Sequence, residues 1–355
     1  MDGALSVSLK LGLSTGLLTG PALLTDGLAW VREAERLGFD SVWSSETYGS
    51  DALTPLAWWG SQTERVKLGT TIVQMSARRP TATAMAAMTM DHLSGGRFVL
   101  GLGVSGPQVV EGWYGEPFGR PLARTREYVG IVRDVVARRA PVTSGGPHYP
   151  LPLNGDHAGT TGLGKPLKSI LRPLRDRIPT LLAAQGPKNI ALAAEIGDGW
   201  LPLYYSPHHD AELYRPCLQE GFARRGGAPA DFEIAPSVPF IVDDDVQRAA
   251  DTLRPMYALY FGGMGAKDMN FHQQVVIRMG YADAARRIQA LYLDGKKDEA
   301  AAAVPTKLIE ELALIGPPDK IRHDLEAWRE SPVTTILVAG PPERLRQAAE
   351  LVLGG

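Results

Sequence analysis

The sequence predicts an α/β fold, specifically a (β/α)8 TIM barrel with insertions. Short apolar runs alternate with amphipathic segments, and each pair spans roughly 30 residues, as one βα unit does. Eight such runs occur, and 44% of the 355 residues are hydrophobic, which is enough for a large core. Strands that alternate with helices are parallel, and eight of them suffice to close a barrel. A doubly wound open sheet is the alternative fold.

Apolar and β-branched runs mark the strands, and apolar residues at helical spacing mark the helices. The predicted strands are Ser8–Leu13, Asp40–Ser44, Lys67–Val73, Arg97–Leu102, Ile178–Ala183, Gly199–Leu203, Phe232–Val242 and Thr334–Val338. Glycine after a helix and proline in its first turn support several helix boundaries. The predicted helices are Leu24–Leu37, Leu53–Thr63, Pro80–Leu93, Arg124–Arg138, Pro187–Ile196, His208–Arg225, Pro317–Trp328 and Pro342–Leu353.

We expect a single domain over residues 1–355, with insertions at about 140–177 and 243–304. The first insertion is rich in glycine and proline. The second is helical, with one break at Gly262 and Gly263. Both leave from strand ends, so we expect them to form walls over the face where barrel enzymes place their active sites.

Composition excludes several function classes. Lys and Arg number 37 against 39 Asp and Glu, so no basic field favours nucleic acid. A single cysteine, Cys217, excludes an internal disulfide framework and a cysteine-based zinc cluster, and no histidine has metal-ligand spacing. No apolar run of about 18 residues predicts a membrane span. We therefore expect a cytoplasmic protein that acts on a small molecule without a metal.

The carboxyl ends of the first strands carry polar and small residues, where a barrel places its site. Glu46 follows the second strand and suits contact with a polar ring edge or proton handling. A helix cap or a surface ion pair is the alternative. The third strand closes at Thr71 and Ile72, ahead of Gln74. Threonine at a strand end is also common for packing reasons alone.

Small residues follow two further strands. Gly103, Val104 and Ser105 lie in a glycine-rich loop that allows close approach of a ligand, although a tight turn explains it equally well. Ala183, Ala184, Gln185 and Gly186 lead into a helix with Lys188 in its first turn. Free amides, the helix dipole and a lysine suit an anion, and an ordinary proline-started helix is the alternative.

Long segments of the sequence resemble the bacterial luciferase-like monooxygenase superfamily. They also resemble, more narrowly, its actinobacterial branch that uses the deazaflavin coenzyme F420. The segments that carry the resemblance are Arg97–Gly115, Pro121–Val129, Thr161–Lys168, Ile178–Pro202, Leu259–His272 and Ala313–Ile321.

The resemblance implies a barrel that is often a homodimer, with the isoalloxazine-like ring at the carboxyl-terminal mouth. It implies a non-prolyl cis peptide bond at Thr71-Ile72 behind the ring, with Glu46 near the polar edge. It places Ala183–Gly186 near the ribityl chain and phosphate, and Val104 and Ser105 beside the cofactor. Related sugar-phosphate dehydrogenases carry a histidine where this chain has Thr47, which argues against that substrate class.

Hydride transfer to or from C5 of coenzyme F420 is the function that this resemblance implies, as reduction of a C=C or C=N bond. Glu46 is the candidate for ring contact or proton handling, and His272, Tyr204 and Tyr260 are weaker candidates for the catalytic acid. One alternative is a reduced-FMN monooxygenase of the same fold. A second alternative is a non-catalytic flavin-binding protein.

Overall fold

The computed structural model describes residues 9–16, 21–153, 155, 157–265, 267 and 269–354; in the first helix, side chains are described from Asp26 onward. Ser8, the predicted start of the first strand, lies outside these residues. The strands are β1 (Lys10–Ser14), β2 (Ser41–Ser44), β3 (Lys67–Thr70), β4 (Val73–Gln74), β5 (Phe98–Gly103), β6 (Thr180–Ala183), β7 (Gly199–Leu201), β8 (Glu233–Ile234), β9 (Phe240–Val242), β10 (Leu314–Gly316) and β11 (Thr335–Val338).

Helices follow most of the strands. They are α1 (Pro21–Arg36), α2 (Leu53–Gly60), α3 (Pro80–Leu93), α4 (Pro107–Gly112), α5 (Pro121–Ala137), α6 (Pro187–Ile196), α7 (Arg215–Arg225), α8 (Val246–Ala258), α9 (Phe271–Arg278), α10 (Ala282–Leu293), α11 (Lys297–Ala302), α12 (Thr306–Leu312), α13 (Pro318–Glu330) and α14 (Pro342–Leu353). Within the described ranges, none of them is both long and apolar enough to cross a membrane.

Parallel strands form the barrel in the order β11-β1-β2-β3-β5-β6-β7-β8. Backbone hydrogen bonds join the two ends of this order. Thr334 N donates to Ile234 O at 3.0 Å, and Leu337 N donates to Pro236 O at 2.9 Å. The eight strand positions therefore close on each other, and the predicted (β/α)8 barrel is confirmed.

The barrel interior is filled by inward-facing apolar side chains, as expected for an eight-stranded barrel. Gly12 on β1 leaves room for this filling, because a Cβ there would lie 2.5 Å from Leu337 Cδ2. The buried interior side chains are Trp43, Val99, Leu181, Leu201, Ala235 and Leu337. Ile72 and Ala183 pack against this cluster and are only partly buried. They cap the interior at the carboxyl ends of the strands.

The predicted strand Phe232–Val242 is wrong as a single element. It divides into β8 and β9, because Pro236 and Pro239 interrupt it and proline has no N–H to give to a ladder. β9 leaves the barrel and pairs in parallel with β10, which the sequence analysis did not predict.

The predicted strand Lys67–Val73 also ends early. β3 stops at Thr70, and β4 forms a separate short strand that pairs with β5. The peptide bond between Thr71 and Ile72 is cis, at the position that the family resemblance implies.

Two long segments interrupt the alternation of strands and helices. The first follows α5, so the prediction that it leaves from a strand end is wrong, whereas the second follows β9 as predicted. Between α5 and β6 the chain is largely irregular, with isolated bridges joining Val142 to Leu167 and Ser144 to Leu151. Between β9 and β10 it forms α8 to α12. The predicted break at Gly262 and Gly263 falls in a π-turn, Leu259–Gly263, that follows α8.

Candidate active site at the barrel mouth

Three residues from neighbouring strands form an apolar platform at the mouth of the barrel. A Cβ on Gly103 would lie 2.8 Å from Ile72 Cγ1 and 3.4 Å from Ala183 Cβ. The missing side chain at position 103 therefore lets Ile72 extend across the end of β5 toward β6. Because Gly103 and Ala183 are small, the Ile72 side chain and its surroundings form an apolar surface that suits the face of a planar ring.

Glu46 lies next to the backbone of Ile72 at the end of β2, and its carboxylate is held from two directions. Its side chain is only 5% exposed, so a surface ion pair is excluded. Arg78 Nη1 donates to both carboxylate oxygens at 2.7 Å, and Gln74 N donates to Oε2 at 2.9 Å. Buried carboxylates require such partners. The carboxylate joins the end of β2 to β4 and to the chain that enters α3.

The backbone around the cis peptide bond is tied to β2 by further hydrogen bonds. Glu46 N donates to Ile72 O at 3.2 Å, and Ser45 Oγ donates to Thr71 O at 2.8 Å. Thr71 N donates to Ser44 O at 2.7 Å. The strand-end residues Thr71, Ile72 and Gln74 are thus fixed by β2, which explains why Glu46 and Thr71 occur together at this edge.

Gln74 has a buried side-chain donor without a partner. Its Oε1 accepts from Ser76 N at 3.2 Å, but Nε2 has no hydrogen-bond partner among the described residues. A buried amide N–H left unpaired costs about 1–3 kcal/mol. A ligand acceptor at the polar edge of a ring on the platform would remove this cost, so the residues present fit such a ligand.

The loop after β5 turns sharply into α4. Ser105 has a φ of +56°, in the left-handed region, and Gly106 precedes the first residue of α4. Val104 lies at a small pocket beside β4, whose other lining residues are Met75, Ser76, Phe118, Pro121 and Arg124. The loop is therefore a tight turn and also contributes Val104 to the mouth.

The loop after β6 is anchored on α9. Gln185 Nε2 donates to His272 Nδ1 at 3.0 Å, and Arg278 Nη2 donates to Gln185 O at 2.7 Å. Ala184 O accepts from Trp200 Nε1 at 2.9 Å. Two residues of one helix thus fix both the side chain and the carbonyl of Gln185.

The amino-terminal turn of α6 follows directly. Gly186 precedes the helix in extended conformation, with no side chain capping the first amides. Lys188 is exposed in the first turn. These features, together with the positive end of the helix dipole, suit an anion. The anion site at this turn stays a prediction.

Aromatic side chains surround His272. Its ring makes edge contacts with Tyr204 at 5.8 Å and with Tyr260 at 5.1 Å between centroids. Burial lowers the pKa of His272 to about 4, so the ring is neutral at pH 7. Because the Gln185 amide donates to Nδ1, the proton of the neutral ring sits on Nε2. Burial raises the pKa of Tyr204 well above its usual value, so its hydroxyl stays protonated.

Nine of the predicted residues fall into two groups. Glu46, Thr71, Ile72, Gln74 and Gly103 form one connected group around the platform. Gln185, His272, Tyr204 and Tyr260 form the other.

Two arginines were missed by sequence reasoning. They are Arg78, the partner of Glu46, and Arg278, the partner of the Gln185 carbonyl. Arg78 stands four residues after Gln74, and a cation so close to a predicted acidic site is a signal that points to it. Arg278 has no such signal, since 93 residues separate it from Gln185.

Comparison with known proteins agrees with this architecture. A family model described as luciferase-like monooxygenase matches residues 5–335. The chain belongs to the luciferase-like monooxygenase family. The predicted superfamily resemblance is confirmed.

A Mycobacterium tuberculosis protein named as a coenzyme F420-dependent oxidoreductase, Rv3520c, is 53% identical over 351 residues, which cover 98% of this chain and 100% of the relative. The structure of the coenzyme F420-dependent tetrahydromethanopterin reductase from Methanopyrus kandleri matches with a TM-score of 0.78 and 23% identity, over 98% and 99% of the two chains. An F420-dependent secondary alcohol dehydrogenase, in complex with an F420-acetone adduct, matches with a TM-score of 0.77 and 18% identity, over 98% of each chain. The two structural matches show a shared fold.

Proposed function

We propose that this chain is a coenzyme F420-dependent oxidoreductase that transfers a hydride between deazaflavin C5 and a small organic substrate, as reduction of a C=C or C=N bond. The observation that carries the proposal is the 53% identity, over 98% of the chain, to a relative named as F420-dependent. The apolar platform with a buried unpaired amide beside it supports the same reading.

Residues of the first group, together with residues that follow β6, would hold the cofactor. Ile72, Gly103 and Ala183 offer the platform for the ring face, and Gln74 Nε2 offers a donor for its polar edge. The first turn of α6, with Lys188, offers amides and a charge for the phosphate. When bound, coenzyme F420 supplies or accepts a hydride at C5.

Proton handling falls to the second group of residues. His272 is neutral at pH 7 and offers the N–H at Nε2 as a hydrogen-bond donor, which can polarise a substrate atom that gains negative charge. Tyr204 and Tyr260 pack on this ring and keep it dry. Glu46 has both oxygens engaged by Arg78, so we assign it to positioning.

The test is anaerobic turnover with reduced coenzyme F420 that carries deuterium at C5, against activated alkenes and imines. We expect recovery of the oxidised cofactor's fluorescence and one deuterium in the product carbon. A reaction that needs oxygen and reduced FMN would replace the proposal with the monooxygenase alternative. Cofactor binding without any turnover across the panel would favour the non-catalytic alternative.

We also propose that the protein is a cytoplasmic homodimer, in line with the family resemblance. The segment between α5 and β6 carries strongly exposed apolar side chains, among them Leu163 at 84% and Ile170 at 97% exposed. We take these side chains as the candidate contact between subunits. Light scattering on the purified protein measures the oligomeric state, and a monomer would contradict this part.

A further inference from the structure

Four aromatic side chains stand at the edge of the mouth without a role in the site described above. Tyr48 and Trp113 pair at 6.4 Å between ring centroids, and Phe118 and Phe271 pair at 6.2 Å. Tyr48 is 55% exposed and Trp113 is 65% exposed. We call these four residues the aromatic rim.

The aromatic rim follows the strand ends that carry the site. Tyr48 comes two residues after Glu46, and the loop that bears Trp113 is tied to it because Tyr114 Oη donates to Thr47 O at 2.7 Å. Phe118 lines the same small pocket as Val104. Phe271 directly precedes His272, so the second pair joins the β5 side of the mouth to the α9 side.

Two charged groups near the rim have hydrogen-bond partners. Arg124, which lines the pocket with Phe118, donates to Pro117 O and lies 3.3 Å from Tyr149 Oη, with its guanidinium 5.9 Å from the Tyr149 ring centroid. Glu46 is paired with Arg78. The exposed aromatic surface favours a ligand with an apolar, planar group.

We infer that the aromatic rim selects substrates with an aryl or similarly planar apolar group next to the reducible bond. This inference rests on the proposed function, because the reducible bond is the one that would receive the hydride. The apolar group would lie against Trp113 and Phe271, while the reducible bond reaches the platform at Ile72. Trp113 and Phe271 are therefore specificity-determining residues.

Two matched ketones test the inference by equilibrium binding. trans-4-Phenyl-3-buten-2-one and trans-3-penten-2-one share one enone and differ in a phenyl against a methyl group. Calorimetric titration is done on the protein alone and with oxidised coenzyme F420, which has no hydride to give. We expect the phenyl ketone to bind about tenfold more tightly, because the ring buries more apolar area.

Variants show whether the preference for the phenyl ketone comes from the rim or from apolar surface elsewhere on the protein. Trp113→Ala and Phe271→Ala should each reduce the preference for the phenyl ketone about fivefold. Trp58→Ala is the matched control, because Trp58 is 58% exposed but lies near the carboxyl end of α2, away from the strand ends. It should leave the preference unchanged.

Several outcomes would overturn the inference. An equal loss in Trp58→Ala, or no loss in either rim variant, would assign the preference to another surface. A change of oligomeric state in the rim variants with unchanged ketone binding would make the rim a protein contact. A parallel fluorescence titration measures binding of coenzyme F420 itself. Because the ketone preference is also measured without the cofactor, failure of the proposed function can be told apart from failure of this inference.

Discussion

The two sides of the barrel mouth are held by different interactions. On the side of β2 to β5, a buried ion pair and backbone hydrogen bonds fix Glu46 and Ile72. On the side of α9, ring packing and one amide–imidazole bond hold His272 against Tyr204. Replacing a residue on the first side leaves a buried charge or amide unpaired, whereas the side chains that contact His272 on the second side are neutral. In the proposed function, the first side would hold the cofactor and the second would contact the substrate.

Removal of the buried carboxylate should give the largest effect. Glu46→Ala leaves Arg78 without its partner and Gln74 N without an acceptor. Breaking a buried pair from one side costs about 3–5 kcal/mol of unfolding free energy. Urea unfolding measures the loss of unfolding free energy. Glu220→Ala is the control, since its ion pair with Arg224 is exposed on α7, and we expect a loss below about 0.5 kcal/mol. Similar losses of unfolding free energy in both variants would contradict the claim that the buried ion pair fixes this side of the mouth.

The α9 side should make the stability of the protein depend on pH. The pKa of His272 falls from 6.5 to about 4 on folding, so below pH 6.5 the unfolded chain binds a proton that the folded chain does not. Stability is therefore full above pH 6.5 and decreases as the pH falls toward 4, by about 2 kcal/mol between pH 7 and pH 5.

His272→Gln should flatten this part of the pH profile of the unfolding free energy. His323→Gln is the control, because His323 lies exposed on α13. An unchanged slope in His272→Gln would show that other groups cause the acid response.

Adding a side chain at Gly103 should reduce the unfolding free energy less than Glu46→Ala does, and it should also weaken binding of coenzyme F420. In Gly103→Ala the new methyl group would meet Ile72 at 2.8 Å, and overpacking of this kind costs about 1–3 kcal/mol. We expect the affinity for coenzyme F420 to fall about tenfold, because Ile72 must move into the space of the ring.

Gly112→Ala provides the comparison, since no atom lies within 4 Å of the added Cβ at the end of α4. Fluorescence titration should show unchanged affinity in this variant. Equal affinities in both variants would place the ring away from the platform.

The barrel and the strand-end residues were predictable because both depend on local pattern. Parallel strands bring their carboxyl ends together, so Glu46 and Gln74 had to lie near one another once the strands were assigned. The division of Phe232–Val242 was not foreseen, because apolar residues continue through Pro236 and Pro239 and hide the change of partner. The contact of Gln185 with His272 was also unpredictable in detail, since 87 residues separate them and only tertiary packing joins them.

The most direct test of the central claim is parallel titration of the purified protein with coenzyme F420 and with FMN, followed by ligand fluorescence. We predict tight binding of coenzyme F420 and weak binding of FMN, with the F420 affinity reduced in Gly103→Ala. The opposite preference would contradict the proposed hydride transfer and favour the monooxygenase. Binding of neither would contradict the assignment of Gln74, Ile72 and Lys188 to a cofactor site.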